Sequence, residues 1–161
     1  MVIILMGVSG SGKTTVGQLL ARELDWPFYD ADEFHPPANI AKMAQGQPLN
    51  DDDRAPWLAA LHRQIHRLLA EQQAAVVTCS ALRQTYREQL LRDNPGARLV
   101  YLKGEAGTIA RRMADRPGHF MKPEMLASQF AILEAPRDAL AVEVTQPPAV
   151  MVNLIKNELK L

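Results

Sequence analysis

The sequence predicts an α/β protein in which a mainly parallel sheet is covered by helices on both faces. Two observations carry this prediction. Short apolar runs alternate along the chain with segments whose apolar residues recur at helical spacing, an order typical of strand–helix–strand units. The first apolar run also leads directly into a glycine-rich loop that opens a helix. The chain has 161 residues, 47% of them hydrophobic, which suits one compact domain over residues 1–161.

The first thirty residues predict two strands and the helix between them. Residues 2–6 form an apolar run that ends at Gly7, as a buried parallel strand does. After the loop, one face of a helix is marked by Val16, Leu19, Leu20 and Leu24. The Trp26-Pro27 break then separates this helix from a short second strand at 28–30.

The rest of the chain continues the alternation after a polar stretch at 30–54. That stretch contains a short helix near 39–44, and a long helix follows it, with one of Asp51, Asp52 or Asp53 as its predicted cap. The apolar face of the long helix carries Trp57, Leu58, Leu61, Ile65, Leu68 and Leu69. The later elements are predicted as strand 74–79, helix 82–92, strand 99–102, a helix containing 109–114, a polar loop at 116–122, a helix from 123 to about 134, a weak strand at 141–145 and a helix at 150–159.

The glycine-rich loop carries the pattern G-x-x-x-x-G-K-[ST]. Glycine lets the backbone turn tightly and bring several N–H groups close to phosphate oxygens. Lys13 then reaches the β- and γ-phosphates, and the Thr14 hydroxyl ligates Mg²⁺. The helix that follows adds an N-terminus that favours anions. The candidate nucleotide-binding residues of this segment are Gly7, Val8, Ser9, Gly10, Ser11, Gly12, Lys13, Thr14 and Thr15.

Two carboxylates follow the second predicted strand, at the edge of a parallel sheet where ligands bind. A kinase needs an acceptor pocket at such a place, so we assign Asp32 to the acceptor hydroxyl as candidate general base and Asp30 to the outer shell of the metal. A solvated turn with a helix cap is the alternative for this stretch. Donors suited to a small, polyhydroxylated, anionic acceptor follow at His35, Asn39, Lys42 and Arg54.

Two arginines precede a glycine-containing segment. Arg112 and Arg116 are four residues apart and therefore share one helical face. An arginine supplied to a transferring phosphoryl group accelerates the reaction by ~10³–10⁵. We expect Arg116, at the edge of the loop, to have this catalytic role and Arg112 to contact the nucleotide. An ordinary charged helix face is the alternative.

Composition limits the expected partners and location. Eighteen basic residues balance eighteen acidic ones, so no overall field attracts nucleic acid or an anionic membrane. The first apolar run is too short to span a bilayer and lacks signal-peptide features, and a single cysteine fits a reducing compartment. We therefore expect a cytoplasmic protein. Cys79 is expected to be buried and structural, and His62 and His66 to be solvated, because their segment lacks the glutamate of a zinc-protease helix.

Other classes of nucleotide-binding protein fit less well than a small kinase. A switch GTPase needs an Asn-Lys-x-Asp guanine motif, which the sequence lacks. A motor domain is longer and has an apolar strand that ends in an acid, whereas the third predicted strand ends in Thr78-Cys79-Ser80.

Several longer segments resemble the gluconokinase family, the ATP-dependent gluconate kinases of the P-loop kinase superfamily. Besides the loop, the most specific of them are Asp30-Ala-Asp-Glu-Phe-His-Pro36, Asp51-Asp-Asp-Arg54, Cys79-Ser-Ala-Leu-Arg83 and Gly118-His-Phe120. The resemblance runs nearly from end to end. It implies a P-loop kinase fold with a five-stranded parallel sheet, a mobile lid at about 112–134 and a homodimer.

The resemblance also implies a reaction and further site residues. It implies that ATP, with Mg²⁺, phosphorylates D-gluconate at its terminal hydroxyl to give 6-phospho-D-gluconate. The implied gluconate-pocket residues are Asp32, His35, Arg54 and Arg83, with His119 and Gln129 on the lid side, and the implied adenine-side loop is Gln146-Pro147. Arg54 or Arg83 suits the substrate carboxylate, since a guanidinium matches a carboxylate in two bonds. Ala31 stands where the family commonly has glycine, and Arg83 where lysine is frequent.

Two alternatives stay open at this point. The first is another small-molecule kinase, acting on shikimate or a nucleoside monophosphate. The second is a nucleotide-dependent switch or binding module that turns over no small molecule.

Overall fold

Strands and helices alternate through the chain, as the sequence predicts. The computed structural model describes residues 1–115 and 123–161. The elements are β1 Val2–Met6, α1 Lys13–Leu24, β2 Phe28–Asp30, α2 Pro37–Ala44, α3 Asp51–Ala70, β3 Ala75–Thr78, α4 Gln84–Leu91, β4 Ala97–Lys103, α5 Ala106–Ala114, α6 Pro123–Ile132, β5 Leu140–Glu143 and α7 Pro148–Leu159. A 3₁₀ helix, Ala31–Phe34, follows β2 directly.

The five strands form one parallel sheet in the order β2-β3-β1-β4-β5. β1 is central: Ile4 pairs with Val77 of β3 on one side and with Leu99 of β4 on the other. All five residues of β1 are fully buried, which explains why its sequence is a continuous apolar run rather than an alternating one. The predicted five-stranded parallel sheet is confirmed.

The sheet separates two apolar cores, because successive residues of a strand face opposite sides. Ile4 and Met6 pack toward one face, where the apolar stripe of α3 meets them, notably Leu61 and Ile65. Ile3 and Leu5 pack toward the other face, whose helices contribute Val16, Leu20, Ile109, Met151 and Ile155. Helices therefore cover both sides of the sheet, as the alternation of elements predicts.

The cap of α3 differs from the prediction. The cap residue is Asn50, and none of the three aspartates that follow it has that position. The Asn50 side chain accepts from the Asp53 N–H at 2.8 Å, and the Asp53 carboxylate accepts from the Asn50 N–H at 3.0 Å. In this reciprocal capping box the two side chains satisfy two backbone N–H donors. Asp53 is the third residue of α3, the position from which its carboxylate reaches the Asn50 N–H.

The two histidines of α3 are partly or fully exposed, as the sequence predicts, and each also makes a hydrogen bond. The His62 Nε2–H donates to the Arg92 carbonyl at 2.8 Å, and the His66 Nδ1–H donates to the Asn94 side-chain oxygen at 3.1 Å. Both histidines thereby attach α3 to the turn after α4. The expectation of a buried Cys79 is confirmed.

Within the described ranges, none of the helices combines the length and apolar character needed to cross a bilayer.

Candidate active site

The loop between β1 and α1 turns back over the carboxyl edge of the sheet. Gly7 (φ +153°) and Gly12 (φ +93°) occupy backbone conformations that side chains rarely adopt. A Cβ on Gly7 would also come within 2.9 Å of the Leu102 carbonyl. Glycine at both positions is therefore required by the backbone itself.

Lys13 begins α1 and folds back onto the loop. Its ammonium donates to the carbonyls of Gly7 and Val8, both at 3.0 Å. Burial lowers the pKa of Lys13, while the neighbouring Cys79, Asp32 and Asp30 act in the opposite direction. The loop carbonyls thus hold this partly buried cation at the wall of the cavity.

A cavity of about 900 Å³ lies beside the loop at the carboxyl ends of β2 and β3. Its walls bring together the predicted residues Lys13, Thr14, Asp30, Asp32, His35, Arg54 and Gln129. The predicted edge of the sheet is therefore the place where the candidate residues meet.

The two predicted carboxylates lie on opposite sides of the start of the 3₁₀ helix. Asp30 caps this helix, and one of its oxygens accepts from the Asp32 N–H at 3.0 Å. The predicted alternative, a turn with a helix cap, thus describes Asp30 correctly, but both residues also line the cavity. Desolvation, followed by the Asp30 carboxylate, raises the pKa of Asp32, although its side chain is open to the cavity.

His35 is held on three sides beside Asp32. Its ring stacks on Trp57 with centroids 4.5 Å apart, and its Nδ1 accepts from the Asn39 amide at 3.2 Å. Nδ1 is therefore the unprotonated nitrogen and Nε2 carries the proton. Nε2 lies 3.9 Å from an Asp32 oxygen. Burial lowers the pKa of His35, so a neutral imidazole presents an N–H donor to the cavity at neutral pH.

Two of the hydrogen-bond donors that were predicted to bind the acceptor molecule, Asn39 and Lys42, bind other residues of the protein. Asn39 is buried, and its side chain donates to the Asp53 carbonyl at 2.8 Å as well as to His35. Lys42 forms an ion pair with Asp53 at 2.8 Å. Together they fasten α2 to the start of α3, which fixes the position of His35 in the cavity wall.

Arg54 and Arg83 lie on either side of a single carboxylate, that of Asp51. Arg54 Nη1 is 3.7 Å from Asp51 Oδ1, and Arg83 Nη1 is 4.0 Å from Oδ2. The Tyr86 hydroxyl donates to Asp51 Oδ1 at 2.5 Å and accepts from Arg54 at 3.3 Å. The sequence predicts both arginines for this site but not their contacts with Asp51 and Tyr86, because nothing in the spacing relates a helix start to a tyrosine 35 residues later.

The remaining predicted residues fall into three groups. Gln129 of α6 lines the cavity and makes two hydrogen bonds to the loop residue Ser9. Arg112 donates to the Val144 carbonyl, close in sequence to the exposed Gln146 and Pro147. Arg116 and His119 lie outside the described residues.

The oxygen donors at the cavity suit a hard cation. Thr14, Asp30 and Thr78 line it, and the buried Thr78 hydroxyl has no hydrogen-bond partner among the described residues. Among the described residues no group of three or more His, Cys, Asp or Glu side chains could hold a metal ion. Mg²⁺ fits this sparse donor set, since it keeps several waters and uses substrate phosphates as ligands.

Comparison with known proteins gives concordant matches. The family model described as shikimate kinase matches residues 9–146. A probable gluconokinase of Mus musculus is 49% identical, with 84% of this chain and 83% of that protein covered. The thermoresistant gluconokinase of Escherichia coli K12 is 44% identical, with coverages of 91% and 86%. The crystal structure of a gluconokinase from Sinorhizobium meliloti 1021 is similar with a TM-score of 0.84 and 42% identity, over 98% of this chain and 94% of that one.

Proposed function

The chain belongs to the gluconokinase family of the P-loop kinase superfamily, and we propose that it transfers the γ-phosphoryl group of ATP to the terminal hydroxyl of D-gluconate. The products are 6-phospho-D-gluconate and ADP. The observation that carries the proposal is the shared cavity: the phosphate loop and Lys13 line it together with Asp32, His35 and Arg54. A nucleotide and a small polar acceptor therefore have adjacent sites.

On the nucleotide side, the loop residues from Gly7 to Thr15 bind the phosphates and Lys13 contacts the transferring group. The support is the φ of the loop glycines and the short reach of Lys13 to the loop carbonyls. Exchange of these carbonyls for phosphate oxygens replaces neutral acceptors by charged ones and strengthens the bonds of the ammonium.

Thr14 ligates Mg²⁺ directly and Asp30 holds one of its waters. Mg²⁺ neutralises charge on the β- and γ-phosphates when it is bound. One carboxylate oxygen of Asp30 accepts from the Asp32 N–H. The other oxygen can therefore make this outer-shell contact.

On the acceptor side, Asp32 orients the hydroxyl and accepts its proton. The pKa of Asp32 is raised by desolvation and by Asp30, which makes its carboxylate a better base than an ordinary aspartate. His35 donates from Nε2 to an acceptor oxygen, since the Asn39 amide holds its Nδ1 as an acceptor. Arg54 and Arg83 bind the substrate carboxylate, and the loose ion pairs that both make with Asp51 support this role.

We keep the remaining expectations as part of the proposal. Residues 112–134 act as a lid over the cavity within one domain, 1–161, and the contact of α6 with Ser9 supports its closeness to the nucleotide. Arg116 compensates charge on the transferring phosphoryl group, Arg112 and Gln146-Pro147 lie on the nucleotide side, and His119 and Gln129 complete the lid-side contacts. The active protein is a cytoplasmic homodimer, by resemblance to the family, and sedimentation of the purified protein measures its assembly state.

The reaction is tested by ADP release from Mg²⁺-ATP with and without D-gluconate. Shikimate, AMP and CMP serve as alternative acceptors under the same conditions. We expect strong stimulation by gluconate alone, because a pocket that hydrogen-bonds several hydroxyls rejects analogues lacking them by ~10⁴ or more. Stimulation by another acceptor instead would overturn the acceptor assignment, and nucleotide binding without stimulation by any acceptor would favour a switch protein.

A further inference from the structure

Asp51 is the first residue of α3, and its carboxylate occupies the space between the two arginines assigned to the substrate. Its oxygens lie 3.7 Å from Arg54 and 4.0 Å from Arg83, one on each side. The Tyr86 hydroxyl holds the same carboxylate by a bond of 2.5 Å. A carboxylate of the protein thus already occupies the position that two guanidinium groups offer to a carboxylate of a ligand.

The two ion pairs of Asp51 are loose and accessible to water. The Asp51 side chain is 67% exposed, and those of Arg54 and Arg83 are 24% and 42% exposed. Within the same helical turn, Asp53 makes a much closer pair with Lys42, at 2.8 Å. An exposed ion pair near 4 Å contributes little and is readily exchanged, whereas the Lys42 pair belongs to the packing of α2 on α3.

Tyr86 stands between Asp51 and Arg54. Its hydroxyl lies between the two charges, donating to Asp51 and accepting from Arg54, and the Arg54 guanidinium also lies 5.7 Å above the centre of its ring. The Tyr86 side chain is nearly buried, so it is a fixed support. Arg54 is therefore kept directed at the cavity, which it lines.

We propose that Asp51 is an exchangeable internal counter-ion, which holds Arg54 and Arg83 together before the acceptor binds and then gives way to the carboxylate of the acceptor. This inference rests on the proposed function. It makes Asp51 a specificity-determining residue. The carboxylate of an acidic acceptor can replace the Asp51 carboxylate at the two arginines, whereas a neutral polyol leaves the internal ion pairs in place and gains no binding energy from the arginines. The cost of the exchange is a weaker apparent affinity for every anionic acceptor.

The experiment measures kcat and KM for D-gluconate, and KM for ATP, in the wild type, Asp51→Asn and Asp52→Asn. Asparagine keeps the shape of Asp51 and an acceptor for Tyr86 while removing the charge. We expect Asp51→Asn to lower KM for gluconate about two- to five-fold, the range for loss of an exposed ion pair, with the change in KM rather than in kcat. Asp52→Asn removes the same charge one residue later in α3 and should leave KM for gluconate unchanged.

A second pair of variants tests whether Asp51 acts through the arginine. In an Arg54→Gln background, Asp51→Asn should lower KM for gluconate by a clearly smaller factor, because only Arg83 is left of the two arginines for which Asp51 and gluconate compete. A KM that is unchanged or raised by Asp51→Asn, in an active wild type, would overturn the counter-ion role alone. A wild type without gluconate-stimulated ADP release would overturn the proposed function, and this inference with it.

Discussion

The side-chain amide of Gln129 makes two hydrogen bonds to Ser9, across 120 residues of sequence. The Gln129 Oε1 accepts from the Ser9 N–H at 2.7 Å, and its Nε2 donates to the Ser9 hydroxyl at 3.2 Å. These bonds join α6 to the phosphate loop directly. The position of α6 is therefore coupled to the same loop that binds the nucleotide in the proposed reaction.

Replacement of Gln129 by alanine should loosen α6 in the nucleotide-free protein. Two hydrogen bonds of about 0.5–1.5 kcal/mol each are lost, so we expect amide hydrogen exchange in α6 to accelerate about five-fold or more. Ser128→Ala is the matched control, because the Ser128 hydroxyl donates only to the Met125 carbonyl one turn earlier. Equal exchange rates in Gln129→Ala and the wild type would show that other contacts hold α6.

Asp32→Asn should reduce turnover severely while ATP affinity stays nearly unchanged. Loss of a general base costs typically 10²–10⁴ in rate, whereas the phosphate contacts of the loop do not involve Asp32. The comparison is kcat for gluconate against the dissociation constant of ATP measured by calorimetry. Glu33→Gln is the control, since Glu33 is the exposed neighbour in the same 3₁₀ helix. Turnover that survives in Asp32→Asn would remove Asp32 from the role of base.

The pH profile should show a raised pKa for the base. Desolvation and the Asp30 carboxylate raise the pKa of Asp32, and the neighbouring His35 and Lys13 lower it. A base acts when deprotonated, so kcat/KM should fall as the pH drops through this pKa, at a higher pH than for an ordinary aspartate. Asp30→Asn removes the like charge and should move the acid limb to lower pH. An acid limb that stays in place would assign the ionisation to another group.

The sheet and its ligand-binding edge could be predicted from the sequence because their signals are local. The run of residues 2–6 specifies a buried strand, and the spacing of Gly7, Gly12 and Lys13 specifies the loop that follows it. Parallel pairing then places the ends of β2 and β3 beside that loop without further information. The predicted positions of Asp30, Asp32 and His35 at the cavity are correct because these residues follow the end of β2.

Contacts between distant segments could not be predicted in the same way. The bonds between Gln129 and Ser9 have no signal in the sequence, because the direction of α6 over the loop is set by tertiary packing. The sequence predicts an aspartate as the cap of α3, but the cap is Asn50, which exchanges two hydrogen bonds with Asp53. Four consecutive polar residues could cap this helix, and which of them does so depends on a side-chain rotamer. Tyr86 and Asp51 meet only because α4 packs on the start of α3.

Trp57 connects the stability of the fold to the acceptor side of the cavity. Its indole N–H donates to the Ala31 carbonyl at 2.7 Å, in a buried position, and its ring stacks on His35. One side chain of α3 thus fixes both the segment that carries Asp32 and the imidazole beside it. Trp57→Phe keeps an aromatic ring for the stack but leaves the buried Ala31 carbonyl without this donor.

We expect Trp57→Phe to lower the free energy of unfolding by about 1–3 kcal/mol, the cost of an unsatisfied buried acceptor, and to raise KM for gluconate because Asp32 and His35 lose a common support. Denaturant unfolding and steady-state kinetics measure the two effects on the same preparation. Trp26→Phe is the control, since Trp26 is a partly buried tryptophan packed against the opposite core. If Trp57→Phe destabilised the protein with KM for gluconate unchanged, Trp57 would support the fold alone, and the position of Asp32 would be set by β2 and the cap at Asp30.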